Sequence, residues 1–338
     1  VTGSFASSAI VTALKAAAEP TRLRILLLLA AGELNVKDLT QILGQSQPRL
    51  SRHLKLLVEA GLVERFREGS WVYFHVSDRT PGGRLVLDLL KLVDASDAAV
   101  ARDKERSEAL KRERETSAQD YFRTHAADWD RIRSLHVAES EVEAAMSEAL
   151  GEGSFKLFID LGTGTGRILE LFAGRYERGL GLDLNQAMLT YARSKLGRGG
   201  NGHVQVRHGD IYALALPDGV ADAIVMHQVL HFLSDPALAI REAARVLAPG
   251  GRLLIVDFAP HELEFLRESY AHERLGFTPA QVSDWMQSAG LEPVEQRNLA
   301  AEPAAGEQKL TVSLWLGARP KAVARAKPSS ARALEEAP

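Results

Sequence analysis

The run KLFIDLGTGTGR at 156–167 joins an apolar stretch to three alternating glycines, Gly162, Gly164 and Gly166. It reads as a buried strand entering a tight turn, because glycine takes up left-handed backbone without strain and lets main chain approach a neighbour closely. Strand-like segments recur at 179–184, 203–208, 221–226 and 252–258, with helical patterns between them. Such alternation predicts a doubly wound α/β layer built on a parallel sheet. Two later segments, 292–299 and 310–316, are joined by a Pro- and Gly-containing loop too short for a helical crossover, and so predict an antiparallel hairpin at the end of that sheet.

The first 80 residues follow a different plan. Helices are predicted over 10–17, 20–31, 36–43 and 48–60, followed by strands at 62–67 and 71–76 around the turn Glu68-Gly69-Ser70. Pro20 suits a first helical turn, Gly61 a helix end, and Ser46 a cap for the helix that opens with Pro48. In that helix Leu50, Leu54 and Leu57 share one face, which leaves Gln47, Arg49, Ser51, Arg52 and Lys55 outward. These side chains suit a major groove: Arg pairs with guanine, Gln with adenine, and Lys and Ser with phosphates. Ser46, Arg65 and Arg67 complete the candidate DNA surface, the two arginines lying on the hairpin. His53 lies beside the apolar face and is expected to pack rather than read a base.

A length of 338 residues allows two domains. Net charge is −3, so affinity for DNA has to come from a local patch; residues 1–80 carry ten Lys or Arg against seven Asp or Glu. The absence of cysteine excludes disulfides, thiolate metal sites and thiol nucleophiles. No apolar run approaches the roughly 20 residues of a membrane span, and no signal-peptide pattern is present, so a cytoplasmic location is expected. The charged run from Arg102 to Glu115 holds six basic and five acidic residues and reads as a solvated connecting helix. Before it, Leu85, Leu89, Leu92 and Val93 form a stripe that a dimer partner would bury, with packing inside the monomer as the alternative.

The segments AEPTRLRILLLL at 18–29 and LSRHLKLLVEAGLVERFREGSWVYFHV at 50–76 resemble the ArsR/SmtB family of winged-helix dimeric repressors. The resemblance implies a homodimer on double-stranded promoter DNA. In that family a metal commonly binds a segment reading ELCVCDL, where this chain has ELNVKDL, with Asn35 and Lys37 in place of the cysteines. The dimer-helix stretch also lacks histidine. No metal is therefore expected, and the effector should be sought in the other domain.

There, Arg167 stands where a dinucleotide-binding pattern would need a third glycine. Asp160, two residues before Gly162, would repel a pyrophosphate but suits a ligand bearing an ammonium and a sulfonium. Asp183, 21 residues after Gly162, is placed to accept from ribose hydroxyls. Met188 offers an apolar surface to an adenine, and Asp210 with Ile211 can pair with its edge. Any one of these acids could instead cap a helix; three at successive strand ends favour a ligand. With DAIVMHQVLHFL at 222–233 and RVLAPGGRLLIVDF at 245–258, these residues resemble class I S-adenosylmethionine-dependent methyltransferases. The resemblance implies a seven-stranded Rossmann-like sheet and an S-adenosylmethionine or S-adenosylhomocysteine pocket. The segment YFRTHAADWDRIRSLH at 121–136 is similar to the flap over the cofactor in such proteins, making Tyr121, Trp129 and Arg133 candidate walls, with core packing an equal alternative for the two aromatics.

The expected layout is a winged-helix DNA-binding and dimerisation domain over 8–95, a charged helical linker over 96–117, a methyltransferase-like domain over 118–316 and a disordered tail over 317–338. The whole chain resembles fused ArsR-type regulators that respond to S-adenosylmethionine or S-adenosylhomocysteine and control methionine and S-adenosylmethionine cycle genes. Methyl transfer to a small-molecule acceptor is the alternative. His227, His231, His261 and His272 lie near strand ends, but none has a defining partner in the sequence, so no catalytic residue is assigned.

Overall fold

The computed structural model describes residues 6–77, 80–129, 139–198, 203–299 and 310–321. Its N-terminal part opens with α1 (Ser7–Ala17) and α2 (Pro20–Ala30), followed by a two-residue strand β1 (Leu34–Asn35). Helices α3 (Val36–Leu43) and α4 (Gln47–Glu59) form the helix-turn-helix, and β2 (Glu64–Glu68) and β3 (Trp71–His75) form the wing. Strand β1 joins the wing in a three-stranded sheet ordered β1-β3-β2. Asn35 does more than pair in that sheet. Its side chain accepts from the Asp38 amide at 3.0 Å while Asp38 accepts from the Asn35 amide, a reciprocal cap at the start of α3. Gly44, at φ 64°, ends α3 in the left-handed conformation. Ser46 occupies the N-cap position of α4, but its hydroxyl makes no capping bond, contrary to expectation. Ile25, Leu26, Leu39, Leu50, Leu54 and Leu57 form the centre of this domain's core.

After α5 (Pro81–Leu90) comes α6 (Ala98–His125), a continuous helix of 28 residues, about 42 Å long at 1.5 Å per residue. It passes straight through the expected boundary at 117. It is not a solvated connector: its first half packs on α2 and α3, with Leu110 in the N-terminal core and Asp103 held by Arg24 at 2.5 Å.

The C-terminal part begins with α7 (Glu139–Ala149) and is built on seven strands. In chain order these are β4 (Phe155–Leu161), β5 (Tyr176–Asp183), β6 (Val204–His208), β7 (Ala221–His227), β8 (Leu247–Phe258), β9 (Glu292–Leu299) and β10 (Val312–Ala318). Their spatial order is β6-β5-β4-β7-β8-β10-β9, parallel from β6 to β8, with β10 antiparallel to both neighbours. The predicted hairpin is thus present, and β10 runs on through Ala318, beyond the expected domain end at 316. Of the tail, only 317–321 fall among the described residues.

Both faces of the sheet are covered, so its strands are apolar on both sides. Leu254 and Val256 of β8 pack into one layer with α7 and with α8 (Arg167–Leu171) and α9 (Gln186–Arg198). Leu253 and Ile255 pack into the other with α10 (Pro236–Val246) and α12 (Pro279–Ser288), while the short α11 (Phe265–Ser269) lies between β8 and α12 in sequence. Among the described residues no helix is long and apolar enough to cross a membrane.

Candidate ligand cleft and DNA-facing surface

The carboxyl ends of β4 and β5 meet the glycine turn. The amides of Gly162 and Thr163 both donate to the Leu182 carbonyl, at 2.8 and 3.0 Å, which folds the turn back across β5. Gly162 has φ 73°, and a Cβ there would collide with Val229; at Gly164, φ 51°, a Cβ would point toward Trp129, 3.6 Å from its indole nitrogen. Both glycines therefore keep the turn open toward one cleft. Gly166 serves packing instead: a side chain there would strike Leu196.

The cleft encloses about 1060 Å³ including the open space at its mouth. Of the residues that the sequence assigned to an S-adenosyl pocket, Asp160, Gly162, Gly164, Asp183, Met188, Ile211 and Trp129 line this cleft. Asp160 is buried and accepts from the Thr163 hydroxyl at 2.7 Å. Asp183 accepts from the amides of Gly164 and Asn185, each at 2.8 Å, and burial raises its pKa above the ordinary carboxylate range. Besides Gly166, two expected residues fall elsewhere. Asp210 is exposed and holds the Tyr212 amide at 2.8 Å; its neighbours Gly209 and Ile211 line the cleft in its stead, because the turn after β6 aims the acid at the rim. Tyr121 faces a second, adjoining cavity, because it points away from the glycine turn toward Tyr270. Arg133 lies outside the described residues.

The sequence did not single out the second half of α6. Glu115, Ala118, Gln119 and Phe122 close one side of the cleft. Burial raises the Glu115 pKa, and the nearby Asp210 carboxylate adds to the effect. Asn185 binds this wall to the opposite one: its oxygen caps α9 at the amides of Ala187 and Met188, and its amide nitrogen donates to the Gln119 carbonyl at 3.0 Å. The periodicity of α6 carries no hint of this, since its charges resemble those of an exposed helix.

On the other domain, Ser46, Gln47, Arg49, Ser51, Arg52, Lys55, Arg65 and Arg67 are all exposed. His53 is mostly covered beside Glu19, and burial lowers its pKa. The tip of the wing, however, is in contact with the methyltransferase domain. Glu68 is buried and binds Arg267 at 2.6 Å, Arg274 at 2.9 Å and the Leu275 amide at 2.8 Å. Arg274 also reaches Glu33 at 2.8 Å and lies over the Tyr73 ring, while the Glu264 carboxylate accepts from the Ser70 amide at 2.7 Å. Arg114 of α6 spans Asp38 and Glu273. Burial pushes the Tyr73 hydroxyl up to about 12.

A seven-stranded sheet of this order with a glycine turn over an acid-lined cleft is the architecture of class I methyltransferases. Residues 159–255 match the family described as "Methyltransferase domain", and residues 19–65 match "Bacterial regulatory protein, arsR family". The chain belongs to the S-adenosylmethionine-dependent methyltransferases through its C-terminal domain, joined to an ArsR-family helix-turn-helix. The ligand of that domain is S-adenosylmethionine or S-adenosylhomocysteine. A Mycolicibacterium smegmatis protein described as "Probable S-adenosylmethionine-dependent methyltransferase" is 31% identical over 40% of this chain and 51% of its own length. The "Ubiquinone/menaquinone biosynthesis C-methyltransferase UbiE" of Enterobacter sp. (strain 638) is 33% identical over 42% of this chain and 69% of its own. The chain thus spans about half the length of the first of these relatives. A chain from the complex of a Haloferax volcanii methyltransferase activator with a methyltransferase shares the fold, with TM-score 0.50 and 23% identity over 59% of this chain and 97% of that one.

Proposed function

We propose that the protein is a transcriptional repressor of the ArsR type whose methyltransferase-like domain reads S-adenosylhomocysteine or S-adenosylmethionine as effector. It acts as a cytoplasmic homodimer on promoter DNA, and genes of the methionine and S-adenosylmethionine cycle are its proposed targets. The observation that carries this reading is α6, one rigid element that belongs to both domains. Its second half walls the ligand cleft, and the helix is anchored to α2 through Arg24–Asp103 near its start and to α3 through Arg114–Asp38 just past its middle. A ligand that orders Gln119 and Phe122 therefore acts on the helix that packs against the helix-turn-helix. The wing tip supplies a second route, because β2 and β3 meet the residues around Arg274.

A ligand shifts DNA affinity only by its differential affinity for two states, and such couplings run to about 1–3 kcal/mol, or 5–150-fold. Titrating a promoter fragment bound by the full chain with each nucleoside should change its gel-shift affinity within that range. An unchanged affinity at saturating concentrations of both would end the effector reading. A two-fold dimer would place half-sites about 34–36 Å apart, or a multiple of that.

A further inference from the structure

Beside the ligand cleft lies a cavity of about 420 Å³ including its opening, and Trp129, Gln228 and Phe232 line both. Its remaining walls are mostly rings and leucines: Tyr121, Phe258, Tyr270, Leu266 and Leu310. Among the described residues no Lys, Arg, Asp or Glu lines it. Such a wall favours a flat, uncharged ring, since an ion would lose hydration here without a counter-charge.

One wall carries a proton-transfer pair. His231 Nδ1 lies 2.8 Å from Asp257 Oδ1, and both side chains are almost wholly covered. Asp257 is fixed in turn by the amides of Leu230 at 2.9 Å, His231 at 3.3 Å and Phe258 at 2.8 Å. An imidazole that donates from Nδ1 to a carboxylate keeps its lone pair on Nε2, and the carboxylate stabilises the imidazolium that forms when Nε2 takes a proton.

The backbone marks the same place. The two non-glycine residues with positive φ among the described residues are Gln228, at 53°, and Ala271, at 57°. Gln228 lines the junction of the two cavities, and Ala271 sits between Tyr270 and His272, which line the second. Such conformations are costly for a residue with a Cβ and persist where the surroundings over-determine them, most often at sites of chemistry.

We propose that the second cavity is a methyl-acceptor site for a flat, neutral, hydroxylated aromatic molecule, with His231 as the base and Asp257 as its positioning residue. The acceptor's oxygen attacks the sulfonium methyl of S-adenosylmethionine held in the adjoining cleft. A carbon–oxygen bond forms as the carbon–sulfur bond breaks, sulfur keeps the electron pair and becomes the thioether of S-adenosylhomocysteine, and the hydroxyl proton passes to His231 Nε2. The proposal rests on the S-adenosyl cleft and not on the effector role.

The test uses the full chain, methyl-labelled S-adenosylmethionine and 2-naphthol as acceptor. Label should appear in the methyl ether of 2-naphthol, and not in benzoate, which is charged, or cyclohexylmethanol, which is neither flat nor acidic. His231→Gln should lower the initial rate by roughly 100-fold or more, while calorimetry shows S-adenosylhomocysteine affinity held within about twofold. Asp257→Asn should lower the rate with the same binding retained. Should that variant fail to fold, the pH profile of the unaltered chain decides: its rate should fall as acid protonates an imidazole, and His231→Gln should lose that dependence. The titratable and charged groups around His231 are Asp257, His272 with its ring tilted at 4.2 Å between centroids, His261 within electrostatic reach, and Glu273 and Arg274, whose amides donate to the His231 carbonyl; His261→Gln should leave the acid limb in place. No methyl ether from a chain that binds S-adenosylmethionine, or a His231→Gln variant with an unchanged rate, overturns the proposal. Either result leaves the DNA titration untouched, so the two readings fail separately.

Discussion

Asp183 accepts two backbone amides and faces a cleft, yet burial raises its pKa. A carboxyl whose folded pKa is raised holds its proton better in the folded chain than in the unfolded one. Its ionised form therefore opposes folding as pH rises through that value. Asp183→Asn is expected to raise the melting temperature of the ligand-free protein at neutral pH. The same change should weaken S-adenosylhomocysteine binding about 10- to 100-fold, or about 1.4–2.8 kcal/mol by calorimetry. A residue tuned for a ligand rather than for stability shows this opposition of signs. His261 gives the reverse case. Burial, with His231 nearby, lowers its pKa to about 4, so the unfolded chain takes up a proton first as pH falls. Stability should therefore drop between about pH 6.5 and pH 4. Urea unfolding across that range should show a shallower slope in His261→Gln.

The wing and α6 are where elements take on roles that their sequences conceal. Glu68 sits in a turn that reads as an exposed hairpin, but its carboxylate is buried against Arg267 and Arg274. Removing one member of a buried ion cluster leaves its partners desolvated and costs about 3–5 kcal/mol. Glu68→Ala is expected to lose stability of that order in urea, and to expose the 69–70 turn to limited proteolysis. The glycine turn, the strand-end acids Asp160 and Asp183 and the outward face of α4 are legible because each rests on a local pattern, whereas the direction of Asp210 depends on the turn after β6. Periodicity marks the buried face, and glycine marks backbone that a Cβ would obstruct. The partners of Glu68 lie about two hundred positions away, at 267 and 274. No local pattern links them. His231 and Asp257 are separated by a helix and a strand, so the pair emerges only when β8 is laid beside β7. Arg114 and Asp103 read as solvated for the same reason.

At the scale of the molecule, exposed apolar side chains lie on both halves, Tyr191, Phe265 and Val294 scattered on the methyltransferase domain and Val11, Leu14, Leu56 and Leu92 on the DNA-binding half. Val11 and Leu14 of α1 are half exposed and Leu92, just past α5, is 82% exposed. Leu85, Leu89 and Val93 instead pack largely on their own core, so the expected dimer stripe is narrower than its sequence and has α1 beside it. Burying such side chains is worth about 1.5–3 kcal/mol each. The double change Leu14→Glu and Leu92→Glu is expected to shift the protein to a monomer in sedimentation and to abolish binding to a two-half-site DNA. Binding of S-adenosylhomocysteine should persist. The charge cluster between the domains also bears on how such a chain can be divided. A cut after residue 95 would leave Glu33, Asp38 and Glu68 on one fragment and their partners Arg114, Arg267 and Arg274 on the other, and would also part Arg24 from Asp103, so each piece would keep covered charges without their partners. Grafting this winged helix onto a foreign sensor would require transplanting the three arginines with it. The halves are matched parts rather than interchangeable modules.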